Sequence, residues 1–340
     1  MSTLNANNEA LRSRKLLKQN MFSSTIDQAK GLAILLVILG HINSPVGSFI
    51  YSFHIPLFFF LAGIYIKTGY SSLKFLQKGL NRLIVPFLIF GALGILVTLM
   101  KNLFLGRSIQ SWGDTLTGWL FWADSTHMQH YGFVLWFLPA LFWGRSFVFV
   151  AVKHLKFHSV LLLVVSVVVG WLASQYVTLP FGLDKALVAL PWIAVGYVFF
   201  QYHERLLSFT WLSIVVLGLV VALLVYLGGI QRLDLATKNI GNFLLSIPYT
   251  LAVILLIFGL LYRGFGNFSS SVSDGLRLFG NNTMLVLVFH VYTNNAVDLL
   301  VNKVLGPGFW LFTFLISVFI VLLAIKAKQR YASSFLFKYL

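Results

Sequence analysis

Two stretches decide how the chain is read: Asp27-Gln-Ala-Lys30-Gly31-Leu-Ala-Ile-Leu-Leu-Val-Ile-Leu-Gly40-His41, and soon after it Phe53-His54-Ile55-Pro56-Leu57-Phe58-Phe59-Phe60-Leu61-Ala62-Gly63. Each is an almost unbroken apolar run with ionisable groups only near its ends. A helix that crosses a bilayer needs about 20 mostly apolar residues. Scanning outward from these two finds ten such segments, at 27–43, 46–66, 83–104, 133–152, 158–177, 184–201, 209–228, 240–262, 280–302 and 309–327. No stretch alternates in the period-two pattern of a membrane β-barrel. The expected fold is an all-α integral membrane protein, a bundle of about ten transmembrane helices.

Composition agrees. Of 340 residues, 59% are hydrophobic and 10% charged, and mean hydropathy is +0.87. A soluble domain carries roughly 25% charged residues. The 25 Lys+Arg against 9 Asp+Glu give a net charge of +16, which in a soluble chain would point to nucleic acid. Here position matters more than the total. Nineteen basic residues fall on the termini and even-numbered loops and six on the other loops. That bias places both termini in the cytoplasm and argues for membrane lipid, not nucleic acid, around the charge. The expected organisation is a basic cytoplasmic segment at 1–25, a transmembrane domain at 26–328 and a cytoplasmic tail at 329–340. The apolar run after Lys30 has no cleavage site behind it and reads as a retained first span, not a signal peptide; the expected location is the inner (plasma) membrane. Cysteine is absent, so thiol chemistry and disulfides are excluded.

Ionisable groups within membrane spans are costly and mark candidate sites. Lys30 and His41 are eleven residues apart, which puts them on one helix face with an axial separation of roughly 16 Å. Asp27 is three residues before Lys30 and in reach of it. His54 enters the second span from the same side as His41, because the loop between them is short. Pro56 is expected to open that helix by freeing a carbonyl. Lys78 and Arg82, before Pro86-Phe87, join Lys67, Lys74 and Lys30 in a basic rim suited to a phosphorylated ligand. In the ninth span Thr283, His290, Asn294 and Asp298 share a face, and Asn282 is placed to cap the helix. Residue types alone leave other readings open: Lys30 as a snorkelling anchor, the histidines as packing groups, and the polar stripe as helix–helix hydrogen bonding. The outer loop carries Trp112, Trp119, Trp122, Asp124, His127 and His130. Its His-x-x-His pair is a weak metal signal without a third ligand, and no metal is expected; its aromatics suit sugar binding or an interfacial belt. G-x-S-x-G, P-loop and H-E-x-x-H signatures are absent.

With these residues in view, the chain resembles the membrane acyltransferase-three family. The resemblance rests on Asp27-x-x-Lys30-Gly31 running to Gly40-His41, the Phe53–Gly63 block, Lys78…Arg82…Pro86-Phe87, Leu135-Trp136-Phe137-Leu138-Pro139, Leu190-Pro191…Gly196-Tyr197 and Gly280-Asn281-Asn282-Thr283…His290. It covers nearly the whole chain in order, and its wording is closest to the fucose-4-O-acetylase-like branch. Thr283 stands where the family usually has Ser. The SGNH-hydrolase domain fused to some members is not expected here, which implies delivery of the acyl group directly or through a separate partner.

The resemblance implies an O-acyltransferase that moves acetyl from cytoplasmic acetyl-coenzyme A to a hydroxyl of a cell-envelope or secreted polysaccharide, or of its lipid-linked oligosaccharide precursor, in company with other glycan-synthesis proteins. It implies catalytic roles for His41, His54 and His290. Donor binding is expected from Lys30, Lys78, Arg82 and Asn282, and substrate contacts from Asp27, Trp136 and Asn294. Direct transfer through a general base and transfer through an acyl-imidazole both remain open. The competing class is a polytopic transporter or flippase of a glycan precursor, whose proton-coupled sites also use His, Lys and Asp.

Overall fold

The computed structural model describes residues 2–108, 111–128, 130–206, 210–230, 232–264, 270–331 and 339–340, with side chains from residue 19 onward and without those of 203–206. The basic residues Arg12, Arg14, Lys15, Lys18, Arg205 and Lys338, counted above in the charge bias, have side chains outside that set. The helices in chain order are α1 (Ser2–Gly40), α2 (Gly47–Tyr51), α3 (His54–Ile64), α4 (Ser72–Gly79), α5 (Val85–Phe104), α6 (Trp112–Leu116), α7 (Phe137–Lys153) and α8 (Ser159–Tyr176). They continue with α9 (Leu183–Val188), α10 (Leu190–Leu206), α11 (Trp211–Gly228), α12 (Phe243–Gly264), α13 (Ser271–Gly280), α14 (Thr283–Leu305) and α15 (Trp310–Arg330). Among the described residues the one β element is an isolated bridge between Asp234 and Asn239. An all-helical architecture follows from the solvent: in hydrocarbon every backbone N–H must find its acceptor within the segment.

Nine helical segments among the described residues are long and apolar enough to cross a membrane. The sixth expected span exists but is divided at Ala189 into α9 and the 17-residue α10. Two other spans are also broken. The second divides at Ser52–Phe53, so Pro56 lies in the first turn of α3, where its missing N–H costs nothing. The third is joined to α4 by a π-helical turn at Leu80–Ile84. Pro86 explains that turn: it cannot donate to the Arg82 carbonyl and its ring crowds it, so the helix widens locally.

The centre of the bundle is held by two close backbone crossings. A Cβ on Gly63 would stand 2.1 Å from the Ile193 carbonyl oxygen, and one on Gly196 1.9 Å from that of Phe60, so α3 and α10 meet backbone to backbone. Gly31 and Gly280 do the same for α1 and α13, at 1.8 Å from Leu276 O and 1.9 Å from Asp27 O. Small residues at such crossings are what membrane helices use in place of a hydrophobic driving force. Helices α8, α11 and α15 lie at the periphery with most of their apolar surface outward.

Helix directions define two ends. Lys30, Lys78 and Arg145 mark a basic end; His41, Lys101 and the 229–242 loop mark a histidine end. Ionic contacts tie the histidine end together. Lys185 pairs with Asp124 and Asp184, each at 3.2 Å, and Lys238 pairs with Asp184 at 3.2 Å. Because Lys238 also donates to the Val177 carbonyl at 2.6 Å, the loops beside α7, α8, α9 and α12 are joined there.

Candidate functional site

Two adjoining cavities run through the middle of the bundle. The one at the histidine end, about 370 Å³, is lined by His41, His54 and His290 with Tyr51, Phe133, Trp136 and Asp234. The one at the basic end, about 540 Å³, is lined by Lys30, Lys67, Lys78, Arg82 and Arg145 with Tyr65 and Tyr70. Phe58, Leu83, Phe137, Leu141 and Thr283 line both.

The three imidazoles share one hydrogen-bonding pattern. His41 Nδ1 lies 2.9 Å from Val37 O, His54 Nδ1 2.7 Å from Ile50 O, and His290 Nδ1 2.9 Å from Leu287 O and 3.1 Å from Val286 O. A carbonyl can only accept, so Nδ1 carries the proton in each ring. In a neutral ring Nε2 is then a free acceptor. The Nε2 atoms of His54 and His290 are buried and have no protein partner. Each ring is thus anchored on a carbonyl three or four residues before it, and all three residues line the cavity. His41 and His290 sit edge to face with centroids 4.9 Å apart, and His54 packs on Tyr51 at the same separation.

At the basic end Lys30 is 2.6 Å from Asp27 and 5.5 Å from the Tyr65 ring centroid. Lys78 lies over the Tyr70 ring at 4.0 Å, and its ammonium holds the Tyr70 hydroxyl below the usual phenol range. Arg145 donates to the Tyr65 carbonyl at 3.4 Å and its Nε has no partner. Among the described residues no carboxylate pairs with Lys67, Lys78, Arg82 or Arg145, so this cavity gathers uncompensated positive charge.

The residues singled out from the sequence fall into two sets. His41, His54, His290 and Trp136 line the histidine cavity; Lys30, Lys78 and Arg82 line the basic one. Asp27, Asn282 and Asn294 line neither. Asp27 serves as the partner of Lys30. Asn294 donates to the Ile38 carbonyl at 2.8 Å and so fixes α14 against α1 one turn from His290. Asn282 occupies the N-cap position of α14 but makes no capping hydrogen bond, contrary to expectation. Its side chain is taken instead by the Leu278 carbonyl and by Lys328 Nζ at 2.9 Å. The expected polar stripe on α14 also divides, since Asp298 faces a separate outer groove. In the outer loop, His127 is bound to Asp124 at 2.9 Å while His130 is engaged elsewhere, and no cluster of three candidate metal ligands occurs among the described residues.

Sequence reasoning missed Arg145, Tyr51 and Asp234. Arg145 reads from the sequence as one of the nineteen basic residues on the even-numbered-loop side, yet it lies in the middle of α7; a basic residue inside an apolar run is the available signal. Asp234 is in a polar loop with nothing to distinguish it. Only folding brings it over the histidines, where buried Leu233 and Leu235 beside it seal that loop onto the cavity.

Residues 24–326 match a family model described as an acyltransferase domain. Comparison with curated proteins and with solved structures gives no significant match.

Proposed function

The chain belongs to the acyltransferase-three family and is a membrane acyltransferase, and from that premise we propose that it transfers acetyl from cytoplasmic acetyl-coenzyme A to a hydroxyl of an envelope or secreted polysaccharide, or of its lipid-linked precursor. The observation that carries this reading is the pairing of the two cavities: a basic one and a three-imidazole one share five lining residues. The charge-biased end is the cytoplasmic one, in an inner (plasma) membrane.

Lys30, Lys78, Arg82 and Arg145 bind the donor's phosphates, guanidinium groups doing so through paired hydrogen bonds. The thioester arm extends past Thr283 towards the histidines. His41 Nε2 removes the proton of the acceptor hydroxyl as its oxygen attacks the thioester carbonyl carbon. The C–S bond then breaks, and the imidazolium returns its proton to the leaving thiolate. Asp234, the carboxylate lining this cavity, stabilises the positive charge that forms on His41.

The tautomers that these carbonyl contacts require sharpen the roles of the other two rings. A neutral His54 or His290 offers only an acceptor at Nε2, so either can donate to the tetrahedral oxyanion only as imidazolium. In the neutral state each can accept from a neighbouring hydroxyl of the acceptor, since the single proton of the reacting hydroxyl goes to His41.

The test is NMR of the native surface glycan from cells with the wild-type protein, without it, and with His41→Ala. Loss of O-acetyl signals in the last two, with glycan amount and membrane insertion unchanged, is expected. Unchanged acetylation would remove the assignment. Dependence of a glycan gradient on proton motive force, with indifference to acetyl-coenzyme A, would replace it by transport.

A further inference from the structure

A third cavity, about 1010 Å³, opens at the histidine end between the last turns of α5, the loop before α7 and the outer half of α14. Ser125 and Phe133 line both it and the histidine cavity. The Phe133 ring is 6.4 Å from that of His41. Its chemistry differs from that of the other two cavities. Asn102, Asn295 and Asn302 contribute amides, Lys101 an ammonium and Asp298 a carboxylate. Tyr131 and Tyr292 stack with centroids 4.9 Å apart and planes at 24°. Lys101 donates to the Tyr131 hydroxyl at 2.8 Å, and Asn302 to Asp298 at 2.9 Å.

His130 adds an independent observation. The Gly132 N–H donates to its Nδ1 at 3.0 Å, so in the neutral ring the proton sits on Nε2, the reverse of His41, His54 and His290. The residue is 6% exposed and lines this groove, and its Nε2 has no protein partner. Burial lowers its pKa to about 4, which keeps the ring neutral and Nε2–H a donor at pH 7. A buried donor without an acceptor is uncommon in native proteins and is normally satisfied by water or a ligand.

Resting on the acyltransferase reading above, we propose that this groove is the acceptor site and that it holds a carbohydrate chain, with His130 Nε2 donating to one of its oxygens and the tyrosine pair packing on a sugar face. A sugar ring presents C–H groups on its face and hydroxyls at its edge. Amides, which both donate and accept, match that edge. A lipid tail in the groove would desolvate the amides, Lys101 and Asp298 with only part of their hydrogen-bonding capacity met by the protein. The shared lining at Ser125 and Phe133 lets one hydroxyl of a bound chain reach His41.

The probe is the surface polysaccharide of cells lacking this protein, and therefore unacylated, cut to oligosaccharides. Full-length protein in lipid nanodiscs is tested for saturation transfer to it by NMR, and for transfer of labelled acetyl from acetyl-coenzyme A. Wild-type protein and His41→Ala should both show saturation transfer to the oligosaccharide, and only wild type should acetylate it. The double variant Tyr292→Ala/Asn295→Ala should raise the oligosaccharide KM at least about tenfold, the value of a 1.4 kcal/mol loss, with acetyl-coenzyme A affinity unchanged. Should the double variant fail to fold, Asn295→Ala at an exposed position decides by the same KM. An unchanged KM overturns the groove assignment. So does a wild-type protein that binds acetyl-coenzyme A yet gives no saturation transfer to the oligosaccharide, and that result leaves the donor reading standing. A wild-type protein that does not bind acetyl-coenzyme A fails the underlying reading, and the groove assignment with it.

Discussion

His41 and His290 meet edge to face, with ring centroids 4.9 Å apart and planes at 72°, although one directly follows α1 and the other lies in α14, far apart in the chain. Asn294 holds that meeting in register by donating to the Ile38 carbonyl. Each ring gives its Nδ1 proton to its own helix, so the free nitrogens are available for chemistry in the cavity.

The arrangement makes His41 the base whose loss should be felt in turnover. His41→Ala is expected to lower kcat by about 10²–10⁴-fold, the usual contribution of a positioned proton acceptor. Affinity for acetyl-coenzyme A should be unchanged, because the phosphate-facing residues lie at the other end. Label transfer in proteoliposomes and donor titration measure the two separately; a large fall in donor affinity would contradict the division of labour.

Arg145 should behave in the opposite way. It lines the basic cavity, and no carboxylate among the described residues pairs with it. Arg145→Ala should weaken donor binding by about 1.5–3 kcal/mol, roughly tenfold to a hundredfold in Kd. Arg145→Lys should recover only part of that, since an ammonium cannot make the paired contact. The loss should shrink at high salt if phosphate recognition is responsible. Titration of acetyl-coenzyme A at low and high ionic strength reads both effects.

The α3–α10 crossing predicts a packing failure. Gly63→Ala places a methyl against the Ile193 carbonyl, and the helices must separate to admit it. A destabilisation of at least about 1–3 kcal/mol is expected, seen as a lower thermal midpoint in detergent. Gly218→Ala, in a helix where a Cβ meets nothing within 4 Å, is the control and should not lower the midpoint.

The ionic cluster at the histidine end carries a pH signature. Burial alone would raise the Asp124 pKa, but hydrogen bonds from the His127 backbone and ring and the Lys185 ammonium outweigh it and hold the carboxyl below its ordinary value. A depressed carboxylate contributes stability above its unfolded pKa of about 4 and loses it as pH falls through the lower folded value. Asp124→Asn should therefore be less stable than wild type by a constant margin at neutral pH, with the gap closing below about pH 4. Lys185→Met leaves buried carboxylates short of a partner and should cost about 3–5 kcal/mol at neutral pH. Thermal midpoints across pH check both.

Much of this protein was legible in residue order. Apolar runs of bilayer length dictate helices whatever their neighbours, because lipid offers the backbone no hydrogen bonds. The Lys30–His41 face was readable because helical periodicity is local. The π turn at Arg82 follows from Pro86 four residues on, although its position was recognised only in the structure. What sequence reasoning could not reach depends on contacts between distant segments. Arg145 resembled anchoring charge until α7 was seen to turn it towards Lys78 and Arg82. Asn282 fitted a capping rule, yet Lys328 and the Leu278 carbonyl compete for its side chain and win. Asp234 and His130 gained meaning only from what the loops carrying them cover.

The sequence by itself determined that the chain is helical, where most of the apolar spans lie, the segregation of charge and the residue types available for chemistry, since all of these follow from short-range hydrogen bonding and transfer from water to lipid. Tertiary structure alone decided which of those residues share a cavity. Helix packing fixes that through backbone crossings such as Gly63 on Ile193, and a rotation or slide of one helix would leave every sequence pattern intact while moving His290 away from His41.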